Sequence, residues 1–417
     1  DETGTPGVVN PPVPPEPPAP QPPYPTSADR ALGVAAGLVK AAEAVSGGAR
    51  WGVTDAGVKG YPTDLYSGQA GVLSFLAEAY RFRPEESFRT ALEAGGRWLQ
   101  AQPRSSSQAL FEGNAGRAWA FLSLHQALGG AGAPWLQAAL ELAPAVASIK
   151  SGLPGDLING VPGQGLLLLR LHGVTGDARW LQAARELGDH VLATGVRVGE
   201  GVKFPSLVLS DGRTVFYPGM AHGSAGAAYF LCRLARALPA DARGRYVDGA
   251  RGAAAWLDGI ARPRGEGVNW YRREPDQMDQ QQVQWCHGAP GIGIFYAELY
   301  RTTGEAAHLE MAKRCAALVA AEGGQHWSAC QCHGVGGNAE IFLKLHRETG
   351  DSAWLDKARV FGEDVWSRRF THTQYPGWAS GDGNNVDNPG LMTGTSGLGW
   401  LYLQLAQDGK LGGPVTD

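Results

Sequence analysis

The sequence has no long apolar run and no strong excess of either charge. Hydrophobic residues make up 43% of its 417 positions, which is enough for a sizeable core. Even so, no uninterrupted apolar stretch approaches the ~18 residues of a membrane-spanning helix. The formal net charge is only −4, so the composition gives no electrostatic attraction for nucleic acid or an anionic membrane. We therefore expect no membrane span and no nucleic-acid partner.

Cysteine is also scarce, and the five residues present form no disulfide pattern. Cys232 and Cys315 lie within helical apolar segments, as is typical of buried core thiols. An odd number of cysteines without a regular framework favours a reducing compartment. We therefore expect a cytoplasmic protein.

The amino-terminal residues 1–27 are rich in proline and differ from the rest of the chain. Proline interrupts helices and central strands, so this segment should be an extended tail or linker. We expect one folded domain over residues 28–417. If the tail follows a removed signal, the protein is instead exported or tethered to lipid.

One short motif, Gly-x-x-Gly followed by an apolar stretch, recurs along the folded part. Its seven copies lie 45–65 residues apart, a period typical of stacked helical hairpins. Amphipathic segments separate the copies. Seven inner and seven outer helices in alternation predict an all-α fold, an (α/α)7 toroid or barrel. The glycine pairs are Gly68/Gly71, Gly113/Gly116, Gly160/Gly163, Gly223/Gly226, Gly288/Gly291, Gly334/Gly337 and Gly394/Gly397.

The glycine steps are expected to surround one mouth of this toroid. There the backbone must turn sharply into each inner helix, and we expect glycine because it allows such a turn at low cost. The helix amino-terminal ends would favour a thiolate or enolate formed at the mouth. The long loops 195–219, 262–284 and 368–391 are the expected substrate-binding segments. Asp64 and Glu112 either line the mouth or cap helices.

Cysteine and histidine precede two of the glycine steps. Cys286 lies two residues before Gly288, while Cys332 and His333 directly precede Gly334. Thiolate and imidazole ligands in a Cys2His set are typical of a zinc site that keeps a fourth position open for water or a substrate thiol. We therefore predict that Cys286, Cys332 and His333 bind Zn2+. His287 and Cys330 are the rival ligands.

These motifs resemble those of the lanthionine synthetase C-like cyclase family. The resemblance extends from about residue 50 to residue 410. WCHGAPG (285–291) and QCHGVGG (331–337) are its most specific parts when they occur together. It is supported by MAHGSAG (220–226), DLINGVPG (156–163) and LMTGTSGLG (391–399).

The resemblance implies an (α/α)7 barrel with one zinc that adds a peptide cysteine thiol to dehydroalanine or dehydrobutyrine. The product is a lanthionine-type thioether, and a separate dehydratase would supply the dehydrated peptide. His222 is the implied catalytic residue; we also expect it at the mouth, because its repeat position is taken to match those of Cys286 and His333. A histidine can return the proton that the addition requires. The resemblance further implies a catalytic role for Asp156, orienting His222 or the substrate.

Three other functions are compatible with the residues. WCHGAPG, with histidine after cysteine, is similar to LanC-like proteins of higher organisms, which implies addition of glutathione to dehydrated residues as an alternative. Helical toroids also include glycoside hydrolases with paired carboxylates, which would leave the Cys/Cys/His set idle. A zinc-stabilised binding scaffold would need the metal but not His222.

Overall fold

A computed structural model describes residues 24–148, 153–383 and 385–415. Most of the predicted tail, residues 1–23, lies outside this range. Helix α1 begins at Ser27, where Thr26 and Asp29 form a reciprocal capping box. Among the described residues, none of the helices combines the length and apolar character needed to span a bilayer.

The described helices form two concentric layers, and they alternate along the chain. The outer helices are α1 (Ser27–Ala41), α3 (Glu86–Ala101), α5 (Ala133–Val146), α7 (Ala178–Thr194), α9 (Gly244–Ile260), α11 (Ala306–Glu322) and α14 (Ser352–Ser367). The inner helices are α2 (Gln69–Phe82), α4 (Asn114–Leu128), α6 (Val161–Thr175), α8 (Ser224–Ala237), α10 (Ala289–Thr303), the split helix α12 (Val335–Asn338) with α13 (Glu340–Thr349), and α15 (Thr395–Ala406). The predicted (α/α)7 toroid is confirmed.

Outer helix α7 shows how local sequence produces the layered pattern. Gly176 ends the preceding helix with φ of 68°, and the Asp177 carboxylate then accepts the N–H of Arg179 at 3.0 Å as the amino-terminal cap. Trp180 and Leu187 belong to the buried stripe of this helix. The stripe packs on inner helices while the opposite face meets solvent.

A closed ring of backbone hydrogen bonds joins the seven repeats at one mouth. Each participating residue lies two positions before the first glycine of its step, and its N–H donates to the carbonyl of the equivalent residue in the next repeat. The seven distances range from 2.8 to 3.2 Å. The ring runs through Tyr66, Phe111, Ile158, Ala221, Cys286, Cys332 and Met392, and Met392 donates back to Tyr66. Helices α15 and α2 also pack together and complete the circle.

The second glycine of each step is required by close packing between repeats. A Cβ at Gly163 would lie 2.3 Å from the Leu157 carbonyl oxygen and 2.7 Å from Leu110 Cβ. Leu110 belongs to the preceding repeat. The second glycines of the six remaining steps have the same two obstacles. A Cβ at each would meet a backbone carbonyl of its own repeat and a side chain of the preceding repeat. The seven repeats can therefore pack this closely around the mouth, whose edge we call the rim, only because these helix starts carry no side chain.

We predicted that glycine begins each step because it allows a sharp backbone turn. For the first glycine of the step, this explanation is wrong in all but one repeat. Of the seven, only Gly288 has a positive φ, 107°, and the others have extended backbone that any residue can adopt. They are needed because a Cβ would collide with a neighbouring carbonyl, such as that of Pro62, 2.4 Å from the site at Gly68. Steric crowding, rather than a sharp turn of the backbone, explains these six glycines.

Six short antiparallel two-stranded hairpins accompany the helices in the described part of the chain. They occupy parts of the predicted loops 195–219 and 262–284, and also the connection between α1 and α2. The strands are β1 (Glu43–Val45), β2 (Gly48–Arg50), β3 (Val53–Asp55), β4 (Val58–Gly60), β5 (Val196–Val198), β6 (Gly201–Lys203), β7 (Leu207–Val208), β8 (Thr214–Val215), β9 (Arg262–Arg264), β10 (Gly267–Asn269), β11 (Tyr271–Arg273) and β12 (Gln277–Gln281). They pair as β1–β2, β3–β4, β5–β6, β7–β8, β9–β10 and β11–β12.

Candidate active site

Cys286 and Cys332 are neighbours in the backbone ring, which brings the predicted metal ligands together. The Cys286 N–H donates to the Cys332 carbonyl at 3.1 Å. Both side chains are buried, and their sulfur atoms and one ring nitrogen of His333 all lie within 4.8 Å of one another. A single divalent ion is small enough to contact three donors at that spacing.

The carbonyl of Gly381 holds the imidazole of His333. His333 Nε2 lies 2.6 Å from the Gly381 oxygen, to which it donates its hydrogen. This bond leaves Nδ1 as the nitrogen available to a metal, an arrangement typical of metal-binding histidines. A Cβ at Gly381 would lie only 2.6 Å from Cys330 Sγ and 3.0 Å from His333 Nε2, so glycine lets the 368–391 loop approach these two side chains directly.

The electrostatics of the cluster suit a cation. The pKa of Cys332 is raised well above its usual value by its hydrogen bond with Cys286 and by burial. Burial alone lowers the pKa of His333, but its contacts with Cys330 and Cys332 outweigh this effect and raise the pKa to about 11. A bound divalent ion would replace the protons that these groups otherwise share. The donor set therefore fits zinc.

The rival ligands Cys330 and His287 do not join the three-residue group formed within the described part of the chain. Cys330 makes a side-chain hydrogen bond with His333 instead. The His287 ring lies 5.8 Å from that of His222 and 5.4 Å from that of Tyr217, measured between centroids. Burial is the largest of the effects that lower the pKa of His287 to about 3, so this imidazole is neutral.

His222 and Asp156 form a hydrogen-bonded pair on the same rim. His222 Nδ1 lies 2.8 Å from Asp156 Oδ2, and Asp156 Oδ1 accepts the Asn159 N–H at 2.8 Å. The Asp156 side chain is 8% exposed, whereas that of His222 is 34% exposed. A buried carboxylate thus orients a histidine whose other nitrogen, Nε2, is free of this bond.

His222 has the predicted repeat position of His333, but it lies one residue further along its repeat than Cys286 does. His222 directly precedes the first glycine of its step, as do His287 and His333, whereas Cys286 lies two residues before its glycine. The three histidines therefore form one row on the rim, and the two cysteines belong to the ring of backbone hydrogen bonds. His222 and the cysteines still meet at one mouth because the two rows are adjacent.

Tyr217 and Tyr66 also contact the site, and neither was predicted from the sequence. The Tyr217 ring packs against both His222 and His287, and its hydroxyl accepts a hydrogen bond from Arg273 at 3.0 Å. Tyr66 hydrogen-bonds the Cys332 side chain; burial, followed by Cys332, raises the tyrosine pKa. Tyr66 shares its repeat position with both cysteines, so alignment of the repeats would have found it, whereas no sequence signal singles out Tyr217.

The two acidic residues considered for the mouth behave differently. Asp64 caps the turn before α2, where one carboxylate oxygen accepts the N–H groups of Ser67 and Gly68 at 2.7 and 3.2 Å. Burial raises the pKa of Asp64. Glu112 is exposed.

Comparison with known proteins agrees with the fold and the motifs. Over residues 60–412 the chain matches the family described as lanthionine synthetase C-like protein. Nisin cyclase superposes with a TM-score of 0.63 at 15% identity, over 82% of this chain and 88% of that one. A sugar epimerase from a ruminal bacterium gives 0.52 at 11% identity, over 90% and 96%.

The same fold also occurs in a carbohydrate-active enzyme. The GH76A alpha-1,6-mannanase from Salegentibacter sp. HEL1_6 superposes with a TM-score of 0.52 at 12% identity, over 92% of this chain and 99% of that one. Structural similarity at such identities establishes the toroid alone. The match over most of the sequence is more specific, and it shows that this chain belongs to the lanthionine synthetase C-like family.

Proposed function

We propose that the protein catalyses zinc-dependent thioether formation, adding a cysteine thiol to a dehydroalanine or dehydrobutyrine residue of a dehydrated peptide. One observation carries the proposal: the Cys286, Cys332 and His333 donors converge within 4.8 Å on the rim that also holds the His222–Asp156 pair. Membership of the family supports a cyclase of this kind. A separate dehydratase would supply the peptide.

Cys286, Cys332 and His333 would hold the metal. Zinc, when bound, supplies a Lewis acid that lowers the pKa of a coordinated thiol and leaves an open position for it. The Gly381 carbonyl keeps the His333 ring in the orientation needed to present Nδ1. Cys286 and Cys332 are both buried, so water has little access to the two sulfur ligands, and their interactions with a cation would be strengthened.

His222 would return a proton to the substrate. In the addition, the thiol sulfur forms a bond to the alkene β-carbon, and the π electrons move toward the α-carbon and its carbonyl. The thiol gives up one proton, and the α-carbon gains one, so the reaction is balanced. Because His222 Nδ1 is engaged by Asp156, Nε2 is the atom that would deliver this proton.

The test is ring closure in a peptide with one cysteine and one dehydroalanine. Closure does not change the peptide mass, so remaining free thiols are alkylated with iodoacetamide before mass spectrometry. We expect His222→Gln to slow closure by about 10²–10⁴-fold, the range for loss of a general acid. His190→Gln, on outer helix α7, is the matched control and should react at the wild-type rate.

Two further assays separate the alternatives. Cys332→Ala should lose both bound zinc and ring closure, and ring closure retained in this variant would contradict a role for the cluster. Glycoside hydrolysis would be favoured if the wild-type protein closed no ring but cleaved an oligosaccharide, and Cys332→Ala cleaved it equally well.

A zinc-stabilised scaffold would be favoured if the wild-type protein bound zinc and the peptide but closed no ring. Ring closure at the wild-type rate by His222→Gln would contradict the proposed role of His222. The second assay adds glutathione. If glutathione is joined to the peptide and no internal ring forms, the function is intermolecular thiol addition rather than peptide cyclisation.

A further inference from the structure

The side-chain amide of Gln284 lies between Cys286 and a histidine of the next repeat. Gln284 comes two residues before Cys286, and His326 lies in the connection between α11 and α12. The amide oxygen of Gln284 is 3.5 Å from Cys286 Sγ, and the amide nitrogen is 2.9 Å from His326 Nε2. One amide therefore contacts both a predicted metal ligand and an imidazole.

A backbone N–H fixes the tautomer of His326. The Ser328 N–H donates to His326 Nδ1 at 3.1 Å. A backbone N–H can only donate, so Nδ1 carries no hydrogen, and the neutral ring carries its hydrogen on Nε2. Burial is the largest of the effects that lower the pKa of His326, which agrees with a neutral ring. His326 Nε2 is therefore a donor toward Gln284.

This donor determines how the amide of Gln284 must be oriented. An amide nitrogen 2.9 Å from His326 Nε2 sets two donors face to face. A half-turn of the amide exchanges its oxygen and nitrogen, which otherwise occupy equivalent positions. The oxygen then accepts the His326 Nε2–H, and the NH2 group points at Cys286 Sγ. In this orientation each donor in the series from Ser328 to Cys286 meets an acceptor.

We propose that Gln284 is a positioning residue that donates a hydrogen bond to the Cys286 thiolate. A cysteine that binds a metal does so as the thiolate, and a hydrogen bond to the charged form stabilises it. The inference rests on the proposed metal site, because only the metal-bound sulfur is a thiolate that needs such a donor. Gln284 would thereby set the orientation of Cys286 and the electron density that its sulfur gives to the metal.

The other two predicted ligands already have partners of this kind. The Gly381 carbonyl holds the His333 ring, and the Tyr66 side chain hydrogen-bonds that of Cys332. With Gln284 at Cys286, each of the three ligands has a neighbouring group that orients it. Such outer partners are typical of metal-binding residues.

The segment that carries His326 is anchored to outer helix α14. Arg368, at the end of this helix, donates to the carbonyl of His326 and, at 2.7 Å, to that of Gly324. Asp364 of α14 pairs with Arg368 at 2.8 Å. These contacts hold the imidazole that orients Gln284, because they fix the backbone on both sides of the histidine.

The zinc affinity of the full-length protein tests the proposal. The dissociation constant is measured by competition with a chromophoric chelator. Gln284→Met keeps the length of the side chain but removes the donor, so it should weaken zinc binding by about 10–100-fold, the range for loss of an outer partner. Gln182→Met, at an exposed position of outer helix α7, is the matched control and should bind zinc like wild type.

Cobalt(II) in place of zinc adds a spectroscopic measurement. A hydrogen bond lowers the energy of the sulfur electrons, so the transfer of an electron from sulfur to cobalt requires more energy. Gln284→Met should therefore shift the sulfur-to-cobalt absorption band to longer wavelength. A substitution that only loosened the local packing would reduce cobalt binding and leave the position of the band unchanged.

His326→Phe tests the series of hydrogen bonds. It removes the donor that orients the amide, so it should also weaken zinc binding, by a smaller factor than Gln284→Met does. In the Gln284→Met background it should have no further effect, because substitutions within one hydrogen-bond network are not additive. Additive effects, or a zinc Kd of Gln284→Met within twofold of the wild-type value, would overturn the inference.

Failure of this inference can be told apart from failure of the proposed function. If the wild-type protein binds no zinc, the proposed metal site and the role of Gln284 are both wrong. If zinc binds and Gln284→Met changes neither its affinity nor the cobalt band, only the role of Gln284 is wrong. If the variants behave as expected but no ring closes, the role of Gln284 is supported and the proposed reaction is wrong.

Discussion

At the scale of single residues, the chemistry depends on which nitrogen of each histidine is committed. Asp156 engages Nδ1 of His222, and the Gly381 carbonyl engages Nε2 of His333. The two imidazoles are therefore held through opposite ring nitrogens. One is suited to proton delivery and the other to metal binding.

Replacement of Asp156 by Asn tests the orienting role. An amide can present N–H to His222 Nδ1 and so invert the tautomer, which places the hydrogen on the wrong nitrogen. We expect kcat for peptide cyclisation to fall by about 10²–10⁴-fold with little change in KM. Asp177→Asn, at the amino-terminal cap of α7, is the control because asparagine caps a helix equally well. Asp156→Asn activity within twofold of wild type would contradict the role.

At the scale of elements, the glycine steps set how closely the inner helices approach. The second glycines lie where a carbonyl of their own repeat and a side chain of the preceding one already fill the space. A methyl group at such a position must displace backbone. Since backbone at the rim also carries the ring of hydrogen bonds, the disturbance would reach neighbouring repeats.

Two alanine substitutions in the same helix, α6, test this packing. Gly163→Ala places a Cβ 2.3 Å from the Leu157 oxygen and should lower the free energy of unfolding by about 1–3 kcal/mol. Gly173→Ala meets nothing within 4 Å and should raise it by up to ~1 kcal/mol, because alanine favours helix. Thermal or denaturant unfolding measures both. Equal effects of the two substitutions would show that the close approach is not what requires glycine.

At the scale of the whole molecule, the predicted metal ligands and the loop that holds one of them come from parts of the chain that are far apart. Cys286 and Cys332 come from adjacent repeats, and the 368–391 loop reaches His333 across 48 positions of sequence. The toroid itself is closed by backbone hydrogen bonds that involve no side chain. Metal should therefore stabilise one side of the mouth without being needed for the ring.

Removal of metal tests whether the toroid folds without the metal and is only stabilised by it. Treatment with a chelator should lower Tm by roughly a few degrees, because loss of a ligand bound only to the folded state lowers stability. The helical far-UV circular dichroism at 25 °C should persist. Cys332→Ala is the control, and its Tm should not respond to the chelator. A chelator response of equal size in Cys332→Ala would show that the metal binds elsewhere.

The sequence predictions that the structure confirmed rest on patterns among residues close together in the chain. The apolar periodicity and the spacing of the glycine pairs are properties of neighbouring residues, so the seven helical hairpins and the toroid could be inferred without coordinates. Repetition of one rim position also brought Cys286 and Cys332 forward as a pair. The ligand set, His222 and Asp156 remain predictions for the experiments above.

Other features depend on contacts that no local pattern encodes. The Asp156–His222 bond spans 66 positions, and Tyr217 packs on His287 from a different repeat. The hairpins in the long loops follow from pairing that their Gly- and Pro-rich sequences do not signal strongly. By itself, the sequence determined the number of helical pairs and the residue types at the mouth, because both are set by local spacing. Only the tertiary structure decided which ring nitrogens of His222 and His333 are held by hydrogen bonds, because their partners, Asp156 and Gly381, come from distant parts of the chain.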